Sequence, residues 1–272
     1  MGKISDALEK HEKETTIKVE SLYQDEPKRT LPEEGEPAVA KRPPVGRTYD
    51  HKLVVLSEPD SADAENFKIL RGQILFGKDH ERPRTIMVTS AFPGEGKTFV
   101  ASNLGASIAM GIDEYVLLVD CDLRRPSLHH MFGYGRGEGL HEYLVGKKDL
   151  ADLLIRTEIN KMSLLSAGKD AKNPSELLAS RMMEQFLEEV KGRYDDRFII
   201  IDTTPSQVTA EANVLANHVD GVILVVMAGK SPRKAIDRTI ENLGREKILG
   251  VVFNGYAAAH KDYKRYYKKY YN

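Results

Sequence analysis

The sequence has a single cysteine, Cys121, and no tryptophan among its 272 residues. One cysteine excludes a disulfide framework and a multi-cysteine zinc site, and it suits a reducing cytosol. Net charge is also missing. Forty Lys and Arg stand against 41 Asp and Glu, giving a formal charge of −1. That balance argues against a chain that coats nucleic acid by bulk charge. No stretch approaches the roughly 18 consecutive apolar residues of a spanning helix. The longest near-continuous run, Gly221–Gly229, has the length of a strand. The opening MGKISDALEKHEKE has no apolar signal-peptide core, and Asp6 stands where a myristoylation signal wants Ser or Thr. These absences predict a cytosolic chain that reaches a membrane only through a partner.

The first 50 residues hold 5 of the 12 prolines and 20 charged residues. They read as a short N-terminal helix over 3–14 followed by a disordered linker. From residue 51 onward the texture alternates. Strands are predicted over 53–56, 85–90, 115–120, 162–168, 198–204, 221–228 and 248–254. Helices are predicted over 64–76, 97–110, 174–194, 210–218 and 232–246, with short helical pieces across 127–156. The strands are continuous apolar runs, which is the pattern of a sheet buried on both faces. The expected fold is α/β, with a mostly parallel central sheet flanked by helices. Ligands in such sheets bind beyond the carboxyl ends of the strands.

Ser90-Ala-Phe-Pro-Gly-Glu-Gly-Lys-Thr98 follows one such strand and opens a helix. This is a P-loop pattern, with Ala91 in place of the first glycine. Gly94 and Gly96 let backbone N–H groups curl around phosphate, Lys97 would bridge the β- and γ-phosphates, and Thr98 would face Mg²⁺. Two other strands end in acid: VLLVDCD carries Asp120 and Asp122, and FIIID carries Asp202. Asp120 and Asp202 suit the metal side, because Mg²⁺ prefers one or two carboxylates plus phosphates and water. Asp122 is positioned to accept a proton from an attacking hydroxyl. Each Asp taken alone also reads as a turn or cap residue. Cys121 reads as a small buried residue between the carboxylates.

The last 17 residues hold 6 of the 12 tyrosines. Tyr263, Tyr266, Tyr267, Tyr270 and Tyr271 alternate with lysine and arginine. Such a segment reads as an amphipathic helix, as a stacking surface for single-stranded nucleic acid, or as a mobile set of phosphate acceptors. The P-loop favours the last reading, since each phosphorylation would add about −1.5 to −2 charges to a basic tail.

With these motifs in view, residues 53–272 resemble the bacterial tyrosine autokinases of exopolysaccharide and capsule biosynthesis. SAFPGEGKT is similar to the family's P-loop, and VLLVDCDLR to its second motif, which carries over Asp120, Asp122 and Arg124. DLRRPSLHHMFG, NPSELLAS and the tyrosine cluster are similar as well. The opening MGKISDALEK looks like the exosortase-linked subgroup. The resemblance implies a P-loop NTPase fold of the partitioning-ATPase kind. The implied domains are a tether (1–50), a kinase domain (51–256) and a tyrosine tail (257–272).

It also implies transfer of the γ-phosphate of Mg-ATP to tail tyrosines of a neighbouring subunit. Pro93, Gly94, Glu95, Gly96, Lys97, Thr98 and Phe99 would bind ATP. Asn254 matches an adenine-reading position, or is a plain strand-end residue. Thr98, Asp120 and Asp202 would serve Mg²⁺, and Asp122, with Asp120 second, would be the base. Glu65, Lys68 and Arg71 match a ring-forming motif in which Lys68 replaces arginine. Implied partners are further copies of the chain, a membrane adaptor of the chain-length co-polymerase kind and a tyrosine phosphatase; nucleic acid is not expected. Thr204 replaces a proline of the third motif. Phe92 stands where partitioning ATPases carry an extra lysine. A partitioning-type ATPase and a non-catalytic nucleotide-binding regulator are the competing readings.

Overall fold

The computed structural model describes residues 49–77, 82–192 and 197–256. A seven-stranded sheet runs through them. Its strands are β1 (Thr85–Ser90), β2 (Tyr115–Asp120), β3 (Ile155–Arg156), β4 (Met162–Leu165), β5 (Arg197–Asp202), β6 (Gly221–Met227) and β7 (Ile248–Asn254). Their order across the sheet is β3-β4-β2-β5-β1-β6-β7. Every pairing is parallel except β3 with β4.

The side chains of the central strands alternate between two cores, as a pleated strand requires. Ile86, Val88, Val116, Leu118, Ile200 and Ile223 point to one side. There they meet α2 (Ala62–Phe76) and α3 (Lys97–Ala109) through Phe67, Val100, Leu104 and Ile108. Met87, Leu117, Val119, Ile199 and Ile201 point to the other side. There they meet Leu140, Tyr143, Met183, Phe186 and Leu215. This explains the unbroken apolar runs: both faces of each strand are covered.

Three expectations need correction. LVVL (53–56) is not a strand. Val54–Ser57 forms a helical turn, α1, because Asn103 on α3 accepts from Val55 N–H and donates to the Lys52 carbonyl. This holds the segment against the helix with Leu53 fully buried. The long helix over 174–194 is two helices, α7 (Pro174–Leu178) and α8 (Arg181–Gly192). Between them Ser180 donates to the Leu177 carbonyl, interrupting the helical ladder. The helical stretch 127–156 resolves into α4 (Leu128–Met131), α5 (Leu140–Leu144) and α6 (Leu150–Leu153), but ends in the antiparallel strand β3. Two further helices, α9 (Glu211–Ala216) and α10 (Arg233–Leu243), lie close to their predicted ranges.

No helix among the described residues is long and apolar enough to cross a membrane.

Candidate functional site

The polar motifs meet where β1, β5 and β2 end side by side. Gly94 and Gly96 adopt φ values of 79° and 97°, the left-handed region that glycine enters without steric cost. Their turn is braced from within. Glu95 is buried, and its carboxylate accepts from Phe92 N–H at 2.8 Å and from the Ser231 hydroxyl. The Glu95 carbonyl accepts from the Asn254 amide at 2.8 Å. Asn254 ends β7, so the far edge of the sheet supports the loop. Pro93 and Gly94 face solvent. The half-buried Phe99 ring packs edge-on to Phe67 against the core, which leaves its backbone N–H as its contribution to the cradle.

α3 begins directly after the loop, so its N-terminal N–H groups and their partial positive charge face the same cradle. Lys97 is largely buried there, with its charge acting on Asp202. The Thr98 hydroxyl donates to Asp202 Oδ2 at 2.6 Å and shares a bond with Ser127 at 3.1 Å. Asp202 and Asp120 stand opposite one another in the β5–β2 register, and both are buried. Each oxygen of Asp120 accepts one backbone N–H, from Asp122 and from Leu128. Asp122 is only half-buried, and its Oδ1 accepts from Arg125 N–H at 2.9 Å.

Burial pushes the Asp120 carboxyl well above the usual range, and the neighbouring Asp202 charge pushes it further. Burial likewise raises Asp202 to about 7, against the pull of Lys97 and the Thr98 hydrogen bond. Asp202 Oδ1 is buried with no hydrogen-bond partner. Two adjacent buried carboxylates with an unused oxygen are short of positive charge. A Mg²⁺ ion with its phosphates would supply it, and the donor set fits: one hydroxyl and one or two carboxylates. No group of three or more His, Cys, Asp or Glu gathers as a metal cluster among the described residues.

The structure therefore brings together Lys97, Thr98, Asp120, Asp122 and Asp202, and adds Asn254 as a brace for the loop. It does not bring the helix motif to this mouth. Lys68 pairs with Glu65 at 3.0 Å along α2, while Arg71 donates to the Ser107 carbonyl of its own chain at 2.7 Å. Tyr263, Tyr266, Tyr267, Tyr270 and Tyr271 lie outside the described residues.

Sequence reasoning missed Ser127, Ser231 and Glu211. Glu211 is fully buried and accepts from Arg124 Nε at 2.7 Å and from the Ser175 hydroxyl at 3.0 Å. Its signal, an acid opening a helix, is shared with any first-turn glutamate.

The fold and loop define a P-loop nucleotide-binding domain. A family profile described as "AAA domain" matches residues 83–245. Tyrosine-protein kinase YwqD of Bacillus subtilis (strain 168) is 32% identical over 224 residues, covering 81% of this chain and 93% of YwqD. The solved kinase domain of Escherichia coli tyrosine kinase ETK superposes with a TM-score of 0.70 at 30% identity, covering 78% of this chain and 85% of that domain. The septum site-determining protein MinD from Pyrococcus horikoshii, solved with Mg-ADP, gives 0.55 at 25% identity, covering 64% of this chain and 71% of MinD. The chain belongs to the bacterial tyrosine-protein kinases. It is a protein-tyrosine kinase.

Proposed function

We propose that this kinase is an autokinase: it transfers the γ-phosphate of ATP to the tyrosines at 263–271 of a neighbouring copy. The observation that carries this reading is the meeting of a braced P-loop with three strand-end aspartates at one mouth. Pro93–Phe99 would hold the nucleotide phosphates, mainly by backbone N–H groups, with Lys97 bridging the β and γ groups. Thr98, Asp202 and Asp120 would hold Mg²⁺, which supplies charge stabilisation to the transferring phosphoryl group when bound. The Mg-ADP carried by MinD supports that assignment.

The tyrosine oxygen attacks the γ-phosphorus, the bond to the β–γ bridging oxygen breaks, and ADP leaves. The phenolic proton passes to Asp122. This half-buried carboxylate keeps Oδ2 free of described partners, whereas both oxygens of Asp120 are occupied. That difference ranks Asp122 above Asp120 as the base.

The 1–50, 51–256 and 257–272 division belongs to the same reading, as does self-association through Glu65, Lys68 and Arg71. So does recruitment to the inner face of the membrane by an adaptor of the chain-length co-polymerase kind. Phosphate added to the tail would turn a basic segment acidic, and a phosphatase would reset it. We assign that cycle to the control of exopolysaccharide polymerisation and export.

The test is phosphosite mapping by mass spectrometry after incubation with Mg-ATP. Phosphotyrosine confined largely to 263–271, and lost in Lys97→Ala, is expected. ATP turnover without phosphotyrosine, even with the adaptor's cytosolic segment present, would sink the reading.

A further inference from the structure

The ion pair between Arg124 and Glu211 has no role in the site so far. Arg124 lies two residues beyond Asp122, on the loop leaving β2. Glu211 opens α9, at the end of the segment leaving β5. Ser175 lies on α7, in the segment that follows β4. The Glu211 carboxylate thus binds together the outlets of three neighbouring strands at the carboxyl edge of the sheet. Burial raises the Glu211 carboxyl. Hydrogen bonds from Thr209, its own N–H, Arg124 and Ser175 more than offset that, so its net position is lowered and it stays ionised near neutrality.

The pair is asymmetric. Glu211 is sealed in the interior, whereas the Arg124 side chain is 49% exposed. Only Nε is engaged, and the two terminal nitrogens have no hydrogen-bond partner among the described residues. Arginine's fork allows one edge to be fixed while the other is offered to an anion.

The position on the sheet says which anion. The P-loop follows β1, with β5 next and β2 beyond it. Strands stand about 4.8 Å apart, so β2 ends about 10 Å along the sheet from the end of β1 that leads into the P-loop. Ser127, on the same loop as Arg124, reaches the Thr98 hydroxyl. In-line transfer requires the acceptor to approach from the side away from ADP. The candidate base Asp122 and Arg124 share the loop leaving β2, so an acceptor held by Arg124 would be held beside that base.

Resting on the autokinase reading, we propose that Arg124 binds the acceptor segment and its new phosphate, and that Glu211 is the positioning residue that aims it. The ligand class is a tyrosine or phosphotyrosine peptide. A purely architectural pair is the competing outcome.

The experiment uses the full chain and a synthetic peptide with the sequence of residues 257–272, unphosphorylated and phosphorylated. Mg-ATP affinity is read by calorimetry, peptide affinity by fluorescence anisotropy, and peptide phosphorylation by steady-state kinetics. Arg124→Ala is expected to raise peptide KM and weaken phosphopeptide binding by about tenfold or more, the loss of a charge-assisted contact, with Mg-ATP affinity held within about twofold. Glu211→Gln keeps the size and a hydrogen-bonding oxygen but removes the charge. It is expected to shift peptide KM in the same direction and to add nothing to Arg124→Ala. Arg124→Lys is expected to restore only part of the effect.

If Glu211→Gln lowers the melting temperature without moving peptide KM, the pair is architectural and the proposal fails. It fails equally if Arg124→Ala weakens Mg-ATP and spares the peptide. Should a single variant not fold because it strands a buried charge, the neutral double variant Arg124→Met with Glu211→Gln answers the same question. A native chain that binds the peptide without phosphorylating it would overturn the autokinase reading. The anisotropy of Arg124→Ala would still decide this one.

Discussion

A side chain on Gly96 would overlap the Asn254 amide, so the phosphate loop and the end of the edge strand leave each other no spare room. Gly96→Ala would meet that contact and a φ of 97° together. It is expected to lower stability by about 1–3 kcal/mol and to abolish nucleotide binding, read by thermal melts and calorimetry. Asn254→Ala removes the support without strain. Because the amide donates to the Glu95 carbonyl and accepts from Gly255 N–H, ATP and GTP affinities should fall alike. Loss for ATP alone would support the adenine-reading role.

The carboxylate pair predicts a pH-dependent response to magnesium. Asp202 is raised from 3.8 to about 7, so the folded protein holds a proton there that the unfolded chain releases. In the absence of metal, stability therefore falls as pH rises from about 4 to about 7, by an amount on the order of 4 kcal/mol. Mg²⁺ competes with that proton. Its stabilisation, read by differential scanning fluorimetry, should be larger at pH 8 than at pH 6. Asp202→Asn should raise the metal-free melting temperature at pH 8 and abolish the kinase reaction.

His129 predicts the opposite limb. It is buried, and burial, then the charges of His130 and Arg136, lower its pKa from 6.5 to about 4. The unfolded chain takes up the proton first, so stability present above pH 6.5 is lost as pH falls toward 4. Urea unfolding at pH 5.0 and 7.5 should show a loss of about 2 kcal/mol from this group, absent in His129→Gln.

Arg71 is folded onto the Ser107 carbonyl at the end of α3. If the ring motif acts here, Arg71→Ala should shift the mass seen by light scattering toward monomer. An unchanged mass would remove Arg71 from the self-association surface.

The fold was legible because its signals are local. Seven residues from Gly221 to Met227 are apolar or glycine, a run of the length and β-branched content that suits a strand covered on both faces. The P-loop was legible because strand, glycines, lysine and helix are contiguous. Asp120 and Asp202 were found separately, each as an acid ending an apolar strand. Their pairing in register was not visible, since it depends on β5 being inserted between β1 and β2. Contacts between distant segments were invisible for the same reason: Arg124 and Glu211 are 87 residues apart. LVVL was misread because four apolar residues carry no period, and a single side chain, Asn103, decided their shape. Thr204, a departure from the family's proline, proved to share a hydrogen bond with the Thr209 hydroxyl, a tie that proline could not make.

The bracing of the phosphate loop by Glu95, Ser231 and Asn254 has a consequence for signalling. A loop already held by side chains gives up its conformational freedom during folding, so an arriving phosphate finds a finished receptor and orders little. A finished receptor responds little to being filled. Information about which nucleotide is bound must then leave the site by another route. The buried pair Asp120 and Asp202 is the part of the site whose protonation would change on filling, and the loops leaving β2 and β5 begin at those two residues.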